Sequence, residues 1–140
     1  MRSFLRYLLI PAMILAAHAP ADAQEQTSHS RFIATYFYTN VRCPSCLTIE
    51  RWTSETIQEE FGDEIQRGVL TWRTINLDGE GNFHFVKDYN LYTKSVIISE
   101  VAGSGEVRWK NLARVWELLR NEGGFRRYVK SELRDFMERP

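Results

Sequence analysis

Cys43 and Cys46 are the only cysteines in this 140-residue sequence, and two residues separate them. A Cys-x-x-Cys spacing points to thiol chemistry. Residues 31–38, which precede the pair, are rich in aromatic and β-branched side chains and predict a strand. Residues 47–61, which follow it, carry apolar side chains at helical spacing. The two sulfurs are therefore expected at a junction between a strand and a helix.

The start of this predicted helix would activate one of the two thiols. Cys43 falls at or near the N-cap, and Pro44 suits the first helical position, where its missing N–H removes no hydrogen bond. Unpaired N–H groups and the helix dipole favour negative charge there, so the pKa of the Cys43 thiol should lie below its usual value of about 8.5. The neighbouring Arg42, and Lys94 if the fold brings it near, would act in the same direction. We therefore assign Cys43 as the attacking thiolate and Cys46 as the resolving thiol.

A purely structural disulfide is the alternative explanation for the pair. Bridging two residues that are three apart closes a very short loop, and the stabilisation from a disulfide grows with loop length. Helical spacing also brings the two Cα atoms within the range of about 4.4 to 6.8 Å that a disulfide tolerates. The pair can thus open and close with little backbone motion, which favours a redox role.

The first 23 residues resemble a secretory signal. Arg2 and Arg6 give a basic start, residues 7–17 are apolar, and residues 21–23 match the small-x-small pattern of a cleavage site. The apolar run is shorter than the roughly 20 residues that a membrane-spanning helix needs. A retained N-terminal anchor is the alternative.

These features predict the organisation and location of the mature chain. We expect cleavage after Ala23, a flexible polar lead-in at residues 24–30 and one domain at residues 31–140. The protein should then work in the periplasm or outside the cell, where two thiols can stay paired for long periods. No stable membrane insertion is expected after cleavage.

Composition excludes several classes of partner. The 18 basic and 18 acidic residues balance, so nothing suggests nucleic acid or an anionic surface. Of the three histidines, only His84 falls in the predicted domain, so a metal site built on several histidines is not expected. A hydrophobic content of 44% suits one compact domain with its own core.

The remaining pattern predicts an alternation of strands and helices. Residues 31–38 are largely apolar on both faces, which is typical of a central strand, and the helix that follows should make the first two strands parallel. Gly62 is expected to close the first helix, Asn111 to cap a later one, and Gly123-Gly124 to separate the last two. After the first helix, a strand is predicted at residues 69–77 and a short helix at residues 82–89. A two-stranded hairpin follows at residues 95–101 and 106–110. Two helices are predicted at residues 112–121 and 125–137.

The order β-α-β-α-β-β-α, with Cys-Pro-Ser-Cys opening the first helix, resembles the thioredoxin fold over nearly all of residues 31–137. The resemblance implies an α/β domain with a four-stranded mixed sheet flanked by helices and an extended C-terminal helical segment. Three strands should run in one direction and one in reverse, and the dithiol should lie exposed at the helix tip. The implied activity is thiol-disulfide exchange with a protein partner, with no cofactor of its own.

A narrower resemblance is to a small secreted bacterial family named as a thioredoxin-like subunit of a nitrophenyl-compound nitroreductase. It implies a subunit role in a reductase system, in which any flavin or nicotinamide site would belong to the partner. The stretches that carry it are residues 42–46, 84–89, 92–96, 107–112 and 115–118.

Three departures from the thioredoxin pattern favour a specialised partner over a general reductase. Ser95 occupies the position where most members have a cis-proline facing the dithiol. Many members also have a buried acid on strand one that helps to move the proton of the second cysteine, and here the corresponding place is near Phe37. Proton transfer from Cys46 would then rely on water or on another acid such as Glu50. The simpler interpretation of Glu50 is a solvated charge on the helix. Arg42 stands where a tryptophan often precedes the first cysteine.

Two further functions remain open from the sequence. Without a proline ring opposite the dithiol, both sulfurs could bind a soft ion such as Cu(I) or Zn(II), which would make the protein a metal carrier. No methionine or histidine lies near the motif in sequence to complete such a site. The other alternative is a non-catalytic subunit whose thioredoxin-like surface only holds a larger enzyme together.

Overall fold

The computed structural model describes residues 31–103 and 105–139. The predicted signal segment and lead-in, at residues 1–30, lie outside this part of the chain. The secondary-structure elements follow the predicted order, except that a short helix is added after the first one and a 3-10 helix stands in place of the predicted helix at residues 112–121. They are β1 (Arg31–Tyr38), α1 (Pro44–Glu60), α2 (Gly62–Gln66), β2 (Leu70–Asn76), α3 (His84–Asp88), β3 (Ser95–Ala102), β4 (Gly105–Asn111), a 3-10 helix (Ala113–Val115) and α4 (Glu122–Glu138).

The strands form one sheet in the order β2-β1-β3-β4. β1 pairs in parallel with β2, while β3 runs antiparallel to both of its neighbours, β1 and β4. β1, β2 and β4 therefore share one direction and β3 is reversed. The fold is α/β and thioredoxin-like, with a mixed four-stranded sheet flanked by helices and a C-terminal helix, as the sequence predicted.

β1 is central and contributes side chains to two apolar cores. Because strand side chains alternate between faces, Phe32, Ala34 and Tyr36 enter the larger core, while Phe37 enters the smaller one beside α3. The larger core lies between the sheet and helices α1 and α4. Its buried helical residues are Ile49, Ile57, Phe125, Val129, Leu133 and Phe136.

The prediction of a helix at residues 112–121 is wrong. Leu112 continues the sheet, since its N–H donates to the Val96 carbonyl at 2.9 Å. Asn111 is the last residue of β4 and caps nothing, and only residues 113–115 are helical, in a 3-10 turn. The Trp116 indole N–H then donates to the Lys94 carbonyl at 2.9 Å. These two hydrogen bonds hold residues 112–116 across the end of the sheet. A helix over residues 112–121 would not keep both of them.

Two predicted helix boundaries also change. α1 ends at Glu60, and Gly62, instead of closing a helical region, starts the short helix α2. Gly123 and Gly124 lie inside α4, in its first turn, where the Asn121 side chain accepts a hydrogen bond from the Gly124 N–H at 2.9 Å. A first-turn N–H has no partner within the helix, so a side-chain cap can begin a helix through glycines. Within the described ranges, no helix combines the length and hydropathy needed to cross a bilayer.

Candidate functional site

A disulfide joins Cys43 and Cys46 at the start of α1, and their Cα atoms are 5.0 Å apart. Cys43 is the N-cap residue with an extended backbone, and Pro44 begins the helix, as predicted. The Cys46 N–H donates to the Cys43 sulfur at 3.1 Å. The first of the two sulfurs therefore already receives one of the free N–H groups of the helix N-terminus, which is the environment that stabilises a thiolate.

The two sulfur-bearing residues differ in exposure. Cys43 is partly exposed, and the following Pro44 and Ser45 are exposed, whereas Cys46 is only 1% exposed. An incoming group can therefore reach the first cysteine and is shielded from the second. The assignment of Cys43 as the attacking thiolate and Cys46 as the resolving thiol stays a prediction, and this asymmetry is compatible with it.

Tyr36 is the β1 side chain that reaches the buried cysteine. It is fully buried, and its hydroxyl donates to the Cys46 carbonyl at 2.9 Å. Burial raises the pKa of Tyr36 above its usual value of 10.0, and the nearby Arg42 only partly opposes this, so the phenol stays protonated as a donor. Phe37, near which the sequence placed the buried-acid position, lies on the opposite face of the sheet from Cys46, because adjacent strand residues point to opposite faces.

Arg42 is held by contacts on two sides. Its guanidinium lies 4.2 Å from the centre of the Tyr38 ring, and it pairs with the carboxylate of Glu50 from α1. Its Nε atom is buried and has no hydrogen-bond partner among the described residues. Glu50 is therefore an ion-pair partner and not the solvated helix charge that the sequence suggested. The pair partly neutralises the charge that Arg42 would otherwise direct at Cys43.

The start of β3 lies at the same end of the sheet as the disulfide, because Ser95 pairs with Phe37 near the end of β1. Ser95 is buried, and its hydroxyl donates to the Thr93 carbonyl at 2.9 Å. No cis peptide bond occurs in residues 31–103 or 105–139. Lys94 is partly buried, and the side chain of neither Lys94 nor Ser95 makes a hydrogen bond or ion pair with the cysteines. The supporting roles assigned to both residues stay predictions.

Apolar side chains are exposed near the disulfide, and sequence patterns alone did not single them out. Val41 and Leu47 flank the cysteine pair in the chain, and Tyr92, in the loop before β3, is 96% exposed. A groove of about 450 Å³ also runs along α1 beside the motif. Its lining residues are Arg42, Leu47, Glu50, Arg51, Ser54, Glu55 and Trp72. These side chains and the groove are the surface that a partner would meet beside the disulfide.

The metal-carrier alternative depends on which ligands surround the two sulfurs. The described residues contain no group of three or more His, Cys, Asp or Glu side chains that could ligate a metal ion. Two sulfurs, one of them buried, would have to hold the ion by themselves, whereas protein metal sites for Zn(II) use three or four ligands.

Comparison with known proteins finds distant similarity of fold. No protein-family model and no curated protein matches the chain. A solved structure described as "Structure of a malarial protein" is 12% identical, covers 58% of this chain and 80% of its own, and has a TM-score of 0.38. The solution structure of a thioredoxin from Thermus thermophilus is also 12% identical, covers 64% of this chain and 72% of its own, and has a TM-score of 0.35.

Proposed function

We propose that this protein is an exported thiol-disulfide oxidoreductase that exchanges its Cys43–Cys46 disulfide with cysteines of a protein partner. The observation that carries the proposal is the unequal exposure of two bonded cysteines at a helix N-terminus. A reactive disulfide needs one accessible sulfur that leaves or attacks as a thiolate and one sheltered sulfur that resolves the intermediate.

The exchange proceeds in two balanced steps. In the reducing direction, the Cys43 thiolate attacks one sulfur of the partner disulfide, which forms a mixed disulfide and releases the other partner sulfur as a thiolate. Cys46 then loses its proton to water and attacks the Cys43 sulfur, which restores the internal disulfide and releases the second partner thiolate. The partner gains two electrons and the enzyme loses two. The reverse sequence oxidises a partner dithiol.

The surface around the disulfide supports a protein partner over a small molecule. The apolar side chains of Val41, Leu47 and Tyr92 are exposed, and the adjacent groove is open and lined by both charges and apolar groups. An extended segment of another protein, with its cysteine next to Cys43, could bury these side chains.

Export and a subunit role form the finer part of the proposal. The basic start, apolar run and cleavage pattern of residues 1–23 support export to the periplasm or beyond. The narrower resemblance supports membership of a nitroreductase system, with electrons supplied by a partner that carries the cofactor. Cell fractionation and N-terminal sequencing of the mature protein test export, with Gln24 expected as the first residue. A cytoplasmic protein that begins at Met1 would refute it.

Trapping in cells tests the exchange itself. Cys46→Ser should accumulate a mixed disulfide between Cys43 and the partner, because the resolving thiol is gone, and mass spectrometry of that species identifies the partner. Cys43→Ser should lose all dithiol exchange. The matched control is the double variant with both substitutions, which should trap nothing.

Two results would contradict the proposal. If Cys46→Ser gives no more trapped protein than the double variant, the pair is not exchanging with a partner. If, in addition, the purified protein retains copper or zinc that is lost in the double variant, the metal-carrier interpretation replaces the proposal.

A further inference from the structure

The buried resolving cysteine poses a physical problem. To attack the mixed disulfide, Cys46 must ionise, yet it is 1% exposed, and burial disfavours the charged form of a thiol. A buried thiolate needs a hydrogen-bond donor close to it. Phe37, the residue at the position first assigned to an acid, points away and carries no donor.

Tyr36 is the donor at this place. Its hydroxyl lies 2.9 Å from the carbonyl oxygen of Cys46, on the same residue as the sulfur, and its ring is fully buried in the core beneath α1. A buried, close-packed phenol has little freedom to move, so the hydroxyl is held against the backbone of the residue that carries the sulfur. The group remains protonated at neutral pH, so it can donate and cannot act as a base.

We propose that Tyr36 is a positioning residue for the resolving step. In the disulfide form its hydroxyl donates to the Cys46 carbonyl and fixes the first turn of α1. In the mixed disulfide the same hydroxyl stabilises the Cys46 thiolate as the proton leaves to water and the sulfur attacks Cys43. This inference deepens the proposed function and rests on it.

The charges around Tyr36 define the controls. Arg42 is the charged group whose field reaches it, and Arg42 is paired with Glu50 on α1. On the flanking strands, β2 presents Thr74 and β3 presents Val96 at the same level, and neither is charged. Tyr38, two residues along the same face of β1, has no hydrogen bond from its hydroxyl among the described residues and serves as the matched control.

The test is a stopped-flow reaction of reduced full-length mature protein with one equivalent of Ellman's reagent, an aromatic disulfide. Attack by Cys43 releases the first thionitrobenzoate, and resolution by Cys46 releases the second, so the two phases report the two cysteines separately. The second phase is measured from about pH 5 to 10, across the range in which thiols ionise. The variants are Tyr36→Phe, Tyr38→Phe and Glu50→Gln.

The expected size of the effect follows from the lost donor. Loss of a hydrogen bond to a charged group should raise the pKa of the Cys46 thiol enough to lower the thiolate population at neutral pH about tenfold to a hundredfold. The more basic thiolate is a better nucleophile, so about half of the resulting loss in rate is recovered on a logarithmic scale. Tyr36→Phe should therefore slow the second phase about threefold to tenfold at neutral pH. Its pH midpoint should move to higher pH, and its alkaline plateau should not fall.

The first phase should be unchanged in Tyr36→Phe, and both phases should be unchanged in Tyr38→Phe. Glu50→Gln should not raise the midpoint of the second phase, because it leaves the charge of Arg42 unopposed and an unopposed cation favours a thiolate. A second phase of Tyr36→Phe that keeps its midpoint, or that is slowed equally at all pH values, would overturn the role of Tyr36. If the wild-type protein shows no first phase at all, the proposed function itself fails.

Discussion

Reduction of the Cys43–Cys46 disulfide should weaken the fold without unfolding it. The bridge joins residues three apart in sequence, and the chain-entropy relation gives about 2 kcal/mol at 25 °C for so short a loop. The larger core does not depend on the bridge, because it is built from β1, β3, α1 and α4 side chains that stay in place when the sulfurs separate. We therefore expect reduced protein to remain folded.

Urea unfolding of oxidised and reduced protein measures this difference. With a slope of about 2 kcal/mol per molar urea, the midpoint should fall by about 1 M on reduction, and the slope should not change. The variant with serine at both cysteine positions is the control, and the reductant should not move its midpoint. A reduced protein that is unfolded in the absence of urea would show that the disulfide is a structural staple, and the reasoning behind the redox role would fail.

The difference should also depend on pH. In the reduced protein, the helix N-terminus is proposed to hold the pKa of Cys43 below that of an unfolded chain, about 8.5. A depressed pKa contributes stability that is fully present above the unfolded value and is lost as the pH falls through the folded one. The gap between oxidised and reduced protein should therefore widen as the pH is lowered from about 8 to about 6, a range in which the buried Cys46 thiol stays protonated. A gap that stays constant would contradict an activated thiolate.

Two further predictions concern the core and the buried phenols. Phe125→Ala should destabilise the protein by about 3 to 5 kcal/mol, because the ring is fully buried and packs edge-on against Trp52, with the two ring centres 5.3 Å apart. A loss of unfolding free energy below about 1 kcal/mol, measured in urea, would contradict this packing. Burial raises the pKa of Tyr36 and of Tyr89, the latter also through its hydrogen bond to Glu106, so their stabilising contribution is complete below about pH 10 and is lost above it. Unfolding measured from about pH 9 to 11 should show a shallower alkaline loss in Tyr36→Phe and Tyr89→Phe than in wild type, and equal slopes would refute the assignment.

The position of the dithiol could be predicted from residues close together in the chain. Cysteine spacing, Pro44 and the apolar periodicity of residues 47–61 are local signals, and a helix N-terminus is a local structure. The same holds for the central place of β1, because a strand that is apolar on both faces must be covered on both. These predictions therefore agree with the structure without any knowledge of long-range contacts.

Contacts between distant segments decided the rest. Leu112 and Trp116 have helical spacing, but hydrogen bonds to residues 94 and 96 hold them across the sheet instead. The side chain beneath Cys46 belongs to Tyr36 and not to Phe37. The two residues are adjacent, and neighbouring residues on a pleated strand point to opposite faces. When an irregular loop lies between the strand and the helix, the number of residues before the motif does not show which face of the strand a residue occupies. Only the folded path of that loop shows which side chain meets the resolving cysteine.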